Sequence, residues 1–167
     1  MTRAPRPDLP NANPGADVPI PGSNLPTSGG RLPIPDGWPR GSGYSHAVVA
    51  EGRQMYIAGQ IGWDPITRQV ASGLVAQTRQ ALENIVAVLR AGSARPEHLV
   101  RLTWFITDRD AYVREQRAIG ATYRDVIGRH FPAMSVIVVS ALIEPGAEVE
   151  IEATAVVPDE STNSAGA

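Results

Sequence analysis

The stretch "HFPAMSVIVVSAL", residues 130–142, constrains the fold more than any other. Pro132 bars a helix from running through it, because it lacks a donor and clashes with the preceding turn. The run behind it is rich in β-branched residues and uncharged, so it reads as a strand. A strand with one wet face alternates apolar and polar residues, and this one is apolar at nearly every position. Both of its faces therefore want cover. Met134 stands at its start. It is either core, or it holds a place where chemistry would want another residue.

The rest of the chain sets what can supply that cover. Residues 1–43 hold ten of the fifteen prolines, so neither helix nor central strand runs through them. They read as an extended or disordered arm, whose short apolar clusters "VPIP" and "RLPIPDGW" are suited to docking on a neighbouring surface. Residues 158–167 read as a flexible tail. Between them lies one domain, residues 44–157, of ordinary single-domain size.

Within that domain, residues 45–49 and 54–61 read as two strands joined by the turn "EGR". Val75, Thr78, Leu82, Ile85, Val86 and Leu89 recur at helical spacing, with Ser72 as N-cap and Gly92 as stop. Residues 99–107 alternate as a strand, and Asp108 caps a second amphipathic helix that ends near His130. The last two strands are "MSVIVVSAL" and "EVEIEATAVV", joined by "IEPGA". The order is β-β-α-β-α-β-β, an α+β two-layer domain with a mixed sheet and both helices on one face. Two helices leave the other face of "MSVIVVSAL" uncovered. Further copies of the chain, most simply in a closed ring, would cover it.

Composition excludes several functions. The net charge of −2 gives no field for nucleic acid or anionic lipid. With no cysteine there is no disulfide framework, thiolate metal site or cysteine nucleophile. No apolar run approaches the ~20 residues of a membrane span, and no signal-peptide core stands at the N-terminus. The expected location is the cytoplasm. His46, His98 and His130 lie at no metal-ligand spacing, and no GxSxG, Walker or GxGxxG pattern is present in a suitable context. His98 and His130 read as structural, and His46 stays open.

Three features remain. Glu148, Glu150 and Glu152 share one face of a strand. Either they form a solvated rim, or one points into a cleft to hold or activate a water. Gly59 interrupts an apolar strand, a mark of close approach by a ligand or backbone. Trp63, in the loop beyond it, is either exposed or a pocket wall or subunit contact.

These pieces fit a known family. "YIAGQIGWDPITRQVASGLVAQTRQALENI", "HFPAMS" and "VEIEATAVV" closely resemble the YjgF/YER057c/UK114 family, also called RidA or L-PSP, over residues 44–157. The resemblance implies a chorismate-mutase-like fold and a homotrimer with a ligand cleft at each subunit interface. In the deaminating branch that cleft hydrolyses enamines and imines, with no cofactor and no metal. Tyr44 matches a pocket-lining tyrosine, Gly59 the strand glycine, and Glu150 the glutamate that positions water. The arginine that clamps the substrate carboxylate is replaced by Met134.

A thioether in place of a guanidinium removes two charge-assisted hydrogen bonds, each worth roughly 1.5–3 kcal/mol. Deamination of 2-iminoacids is therefore disfavoured. The expected ligand is a small apolar or amphipathic metabolite, with Met134 and Trp63 or Trp104 as walls and Glu150 as polar anchor. An enamine/imine hydrolase is the first reading and a non-catalytic metabolite-binding module the second. A ribonuclease is the third, opposed by the acidic balance.

Overall fold

The computed structural model describes residues 32–39 and 41–159. The expectations for most of the arm and for the end of the tail lie outside the described residues. Four strands and two long helices make up the domain. In chain order they are β1 (Arg53–Ile61), α1 (Leu74–Ala91), β2 (Leu99–Ile106), α2 (Arg109–Val126), β3 (Ala133–Val138) and β4 (Val149–Val157). A short 3-10 turn, Pro96–His98, leads into β2. The sheet order is β1-β4-β2-β3. β4 pairs antiparallel with both β1 and β2, and β2 pairs parallel with β3. This is the mixed α+β sheet expected from the sequence, in a chorismate-mutase-like two-layer domain.

Alternation along the strands sorts the two faces. On β4, Val149, Ile151, Ala153 and Ala155 are buried, while Glu150, Glu152 and Thr154 take the other face. On β2, Leu102, Trp104 and Ile106 are buried on the side that meets Leu82, Ile85 and Leu89 of α1. Removing a Leu or Ile side chain from water contributes about 1.5–3 kcal/mol, so this layer holds the domain together. The opposite face carries Arg101, Thr103 and Phe105 and, among the described residues, has no helix on it.

The helix ends show which local signals mattered. Asp108 caps α2 as expected, its carboxylate accepting from the Asp110 and Ala111 N–H groups at 2.8 and 2.9 Å. Gly92 stops α1, its N–H reaching Leu89 O at 3.0 Å. Ser72 is not the N-cap of α1. That place belongs to Gly73 at φ 83, with no side-chain cap, a backbone state that glycine adopts without a Cβ penalty. The second helix ends at Val126, short of His130, because the chain turns left-handed at Gly128 with φ 90.

One expected strand is absent. Residues 45–49 form no strand paired with β1; they carry isolated bridges at Ser45, which joins Ala133 in parallel, and at Val49. The Ser45 N–H goes to Pro132 O at 3.0 Å and its hydroxyl to Phe131 O at 2.6 Å. The segment is thus anchored at the β3 edge, and β1 forms the opposite edge. Before entering β1 the chain crosses three interstrand spacings of about 4.8 Å each. A segment running across the sheet cannot also lie alongside β1.

Candidate functional site

The open sheet face carries two separate constellations. At one end, β1 contains a bulge: Ile57 pairs with Ala153 and Gln60 with Ile151, so Ala58 and Gly59 together oppose Glu152. The Gln60 side-chain amide donates to both bulge carbonyls, Ala58 O and Gly59 O, at 3.2 Å. The bulge brings Gly59 directly beneath the half-buried Glu150 side chain. A Cβ at residue 59 would overlap the Glu150 carboxylate. That carboxylate makes no hydrogen bond or ion pair among the described residues, so it is available to a ligand or a water. Of the three glutamates, Glu152 is exposed and Glu148 half-buried.

Trp63 stands at this same end, two residues beyond Ile61, which pairs with Glu150. It is half-buried and bridges to Val70. Asp64 ties the loop behind it, accepting from the Thr67 and Ile66 N–H groups at 3.0 and 2.7 Å. Those backbone donors, Thr67 first, hold its carboxyl below the usual carboxylate range.

Two side chains missed by sequence reasoning secure this end. Gln77 on α1 is 1% exposed. Its amide donates to Gly146 O at 2.9 Å, and its carbonyl accepts from Glu148 N–H at 2.7 Å, fixing the entry to β4. Asn84, seven residues on, donates to Trp63 O at 2.9 Å and Ile61 O at 3.3 Å, fixing the exit from β1. The signal was present: two carboxamides lie within an apolar helical stripe, and buried polar groups require partners.

At the other end, the 41–50 segment walls an open groove of about 650 Å3. Its rim carries Tyr44 and His46, its floor Tyr56, Arg101 and Thr154, and its far side Ala133 to Ser135. Tyr44 is 40% exposed. Its ring meets His46 edge-on at 5.4 Å, and His46 meets Trp38 at 5.3 Å. The His46 ring also contacts Pro39 O at 3.0 Å.

The expected site residues are therefore divided. Gly59, Glu150 and Trp63 gather at one end of the face. Tyr44 lines the groove at the other end. Thr154 and Glu150 are four residues apart on β4, or about 13 Å along the strand. Met134 pairs with Leu102 and Glu150 with Phe105. Because 102 and 105 point to opposite faces, so do Met134 and Glu150. Met134 enters the groove lining at its β3 position, while its side chain packs on the helix-side core. Trp104 does not line a cleft. It is 2% exposed in the core, its ring 6.4 Å from that of Tyr123, because its parity on β2 turns it under the helices. His98 and His130 are structural, as expected. The first accepts the Arg95 N–H at 3.2 Å, and the second contacts Leu99 O at 2.6 Å. No cluster of metal-binding side chains occurs among the described residues.

Comparison with known proteins agrees with this fold. Residues 39–157 match the family described as Endoribonuclease L-PSP. The chain belongs to the YjgF/UK114 (RidA, L-PSP) family. It is similar to protein DfrA of Myxococcus xanthus, 40% identical over 119 residues that cover 68% of this chain and 84% of that one. Human 2-iminobutanoate/2-iminopropanoate deaminase is 35% identical over 114 residues, covering 68% of this RidA-family chain and 79% of the deaminase. Among solved structures, the Rid-family protein YyfB of Yersinia pestis superposes with a TM-score of 0.62 at 38% identity, covering 69% of this chain and 87% of YyfB. No helix among the described residues is long and apolar enough to cross a membrane.

Proposed function

We propose that this RidA-family protein is a cytoplasmic homotrimer that binds a small metabolite in a cleft between copies. There it hydrolyses an enamine or imine and releases ammonia. The observation that carries this reading is the unpaired Glu150 carboxylate seated over the glycine of the β1 bulge. In the reaction, Glu150 accepts a proton from a water as the water oxygen bonds to the C=N carbon. The imine nitrogen takes up a proton, and the resulting carbinolamine loses ammonia to leave the carbonyl. Backbone amides near Gly59 stabilise the charge that develops.

Within one chain, Tyr44 and Met134 are remote from Glu150. A cleft that uses all three draws them from two copies, which supports a shared site. Trp63 then walls the Glu150 side. The relatives named as deaminases act on 2-imino acids. Here Met134 supplies no cation for the carboxylate, which favours an uncharged substrate. The same feature favours the second reading, a binding module without turnover. The ribonuclease reading has least support, since the net charge of −2 opposes phosphate binding.

The test is ammonia release from freshly generated 2-aminoacrylate and from its uncharged amide. The amide is expected to be turned over faster than the acid, and Glu150→Gln is expected to lower that rate about 10²-fold or more. Rates equal to buffer for both compounds would leave the binding module.

A further inference from the structure

Tyr44 is a ligand contact in the proposed function, yet no hydrogen bond holds its ring. It is 40% exposed, and its hydroxyl makes no hydrogen bond among the described residues. Its backbone is anchored next door, where Ser45 donates to Phe131 O and Pro132 O. The ring itself is set by packing. On one side it lies back over Gly41, where a Cβ would come 2.9 Å from Tyr44 Cζ. On the other it meets the His46 ring edge-on at 5.4 Å and 79°.

His46 is fixed in turn by the segment before the groove. Its Nε2 meets Pro39 O at 3.0 Å, and since a carbonyl only accepts, Nε2 carries the proton in that contact. Its ring meets that of Trp38 at 5.3 Å and 77°. Local sequence places Trp38. The stretch "PDGWP" closes a turn, Trp38 N–H donating to Pro35 O at 3.1 Å. Gly37 has φ 80 at the third position, where a type II turn favours glycine. Pro39 then holds the Trp38 backbone extended. Trp38 is 58% exposed and lies just ahead of residues 39–157, which match the family.

We infer that Trp38 and His46 are positioning residues. They form a brace, Trp38 to His46 to Tyr44, that sets the Tyr44 ring in place before a ligand arrives. An unbraced, partly exposed tyrosine samples several rotamers, and ordering one of them on binding weakens affinity roughly two- to tenfold. A ring already locked by its neighbours avoids that loss. The brace reaches beyond the family-matched residues, so the segment that carries it acts on the site without touching the ligand. The inference rests on the proposed function in taking Tyr44 as a ligand contact. Where the Tyr44 ring stands is read without any turnover.

The experiment labels the full-length chain with 3-fluorotyrosine and reads it by fluorine NMR. The chain has four tyrosines, and Tyr44→Phe identifies the Tyr44 resonance. Trp38→Ala and His46→Ala are each expected to shift that resonance, while those of Tyr112 and Tyr123 on α2 stay in place. Trp38→Phe, which keeps a ring against His46, should return it to the wild-type position. Trp38 is exposed, so its variants should melt with the wild type. With the uncharged amide of 2-aminoacrylate as substrate, Trp38→Ala should raise KM roughly two- to tenfold with kcat nearly unchanged, the pattern of lost binding rather than lost chemistry. Trp38→Phe should bring KM back. Glu150→Gln should do the reverse, lowering turnover without moving the Tyr44 resonance. A wild type without turnover removes the proposed reaction, and the brace then stands or falls on the fluorine spectrum. A Tyr44 resonance unmoved by Trp38→Ala would overturn the inference. Equal shifts at all four tyrosines would overturn it too, by making Trp38 a general packing residue, and so would a KM that ignores a displaced Tyr44 ring.

Discussion

The Glu150 carboxylate occupies the space that a side chain at residue 59 would fill: a Cβ built on Gly59 lies 2.6 Å from Glu150 Cδ. Gly59 has no left-handed φ, so alanine is allowed there by the backbone. The group in the way is the far end of a flexible side chain, which can swing aside. Gly59→Ala is therefore expected to leave the melting temperature within about 4 °C of wild type, a change below ~1 kcal/mol. It should also displace Glu150 and lower imine hydrolysis at least tenfold, read as ammonia release. Full activity in this variant would separate Glu150 from the chemistry.

Gly62, three residues on, gives the opposite outcome. A Cβ there runs into the α1 backbone and Cβ of Gln77. Backbone cannot swing aside, and Gln77 itself holds Gly146 and Glu148. Gly62→Ala is expected to cost about 1–3 kcal/mol, the usual range for overpacking, seen as a clear fall in melting temperature. A melt equal to that of Gly59→Ala would show that α1 and β1 are loosely packed here.

His98 makes stability fall in mild acid. It is buried at 8% exposure. Burial first, and then the Arg95 charge, holds its imidazole below the ordinary 6.5. Below pH 6.5 the unfolded chain binds a proton that the folded chain resists. Stability is thus fully present above about that pH and is lost as the pH falls toward the lower folded value. The lowered carboxyls of Asp64 and Asp108 act in a separate window, below 3.8. Melting temperatures between pH 7.5 and 5.5 should decline for wild type. His98→Asn, which keeps an acceptor for the Arg95 N–H but does not titrate, should flatten that slope. An unchanged slope would place the acid sensitivity elsewhere.

How far the sequence was legible follows from what each residue's neighbours had to be. The stripe from Val75 to Leu89, the Asp108 cap and the alternation of β4 are local patterns, and each appears as expected. The path of residues 45–49 was not legible, because it depends on Ser45 reaching Phe131 and Pro132 some 86 residues away in sequence. The Gly59–Glu150 approach was half legible. The glycine and the glutamate were both conspicuous, but the bulge that stacks them is a register event between β1 and β4. Trp104 was misjudged because the parity of its place on β2 turns it toward the helices. That Met134 lines the groove while its side chain packs on the helix-side core follows from its register with Leu102, which only the sheet pairing reveals.

The open sheet face makes the trimer testable. Val136, Ile137 and Val138 on the edge strand β3 are 39%, 44% and 51% exposed in the single chain. Among the described residues this stretch of the edge has no strand partner on its outer side and the face beside it has no helix, and three adjacent apolar residues there invite association. Sedimentation at micromolar concentration is expected to give one species of three chains. A stable monomer would mean that this surface stays wet.

Met134→Arg tests the reading of the missing cation against the packing. Met134 is half-buried, on the helix side of an edge strand, and touches the core without being sealed in it. An arginine there can run its methylenes along the core and carry its guanidinium out past the edge of the sheet. The fold and the assembly should therefore survive with a loss of about 1–2 kcal/mol, well short of the ~3–5 kcal/mol of an unpaired buried charge. If the cleft between copies joins β3 of one chain to Glu150 of another, the new guanidinium meets the substrate carboxylate there. Turnover of 2-aminoacrylate, nearly absent in wild type, should then rise at least tenfold in the variant. Strong 2-aminoacrylate turnover by wild type would remove the argument from Met134. A variant that folds and assembles but gains nothing would place β3 outside the cleft. A variant that fails to assemble would show that Met134 acts through packing, with its helix-side contacts as the cause.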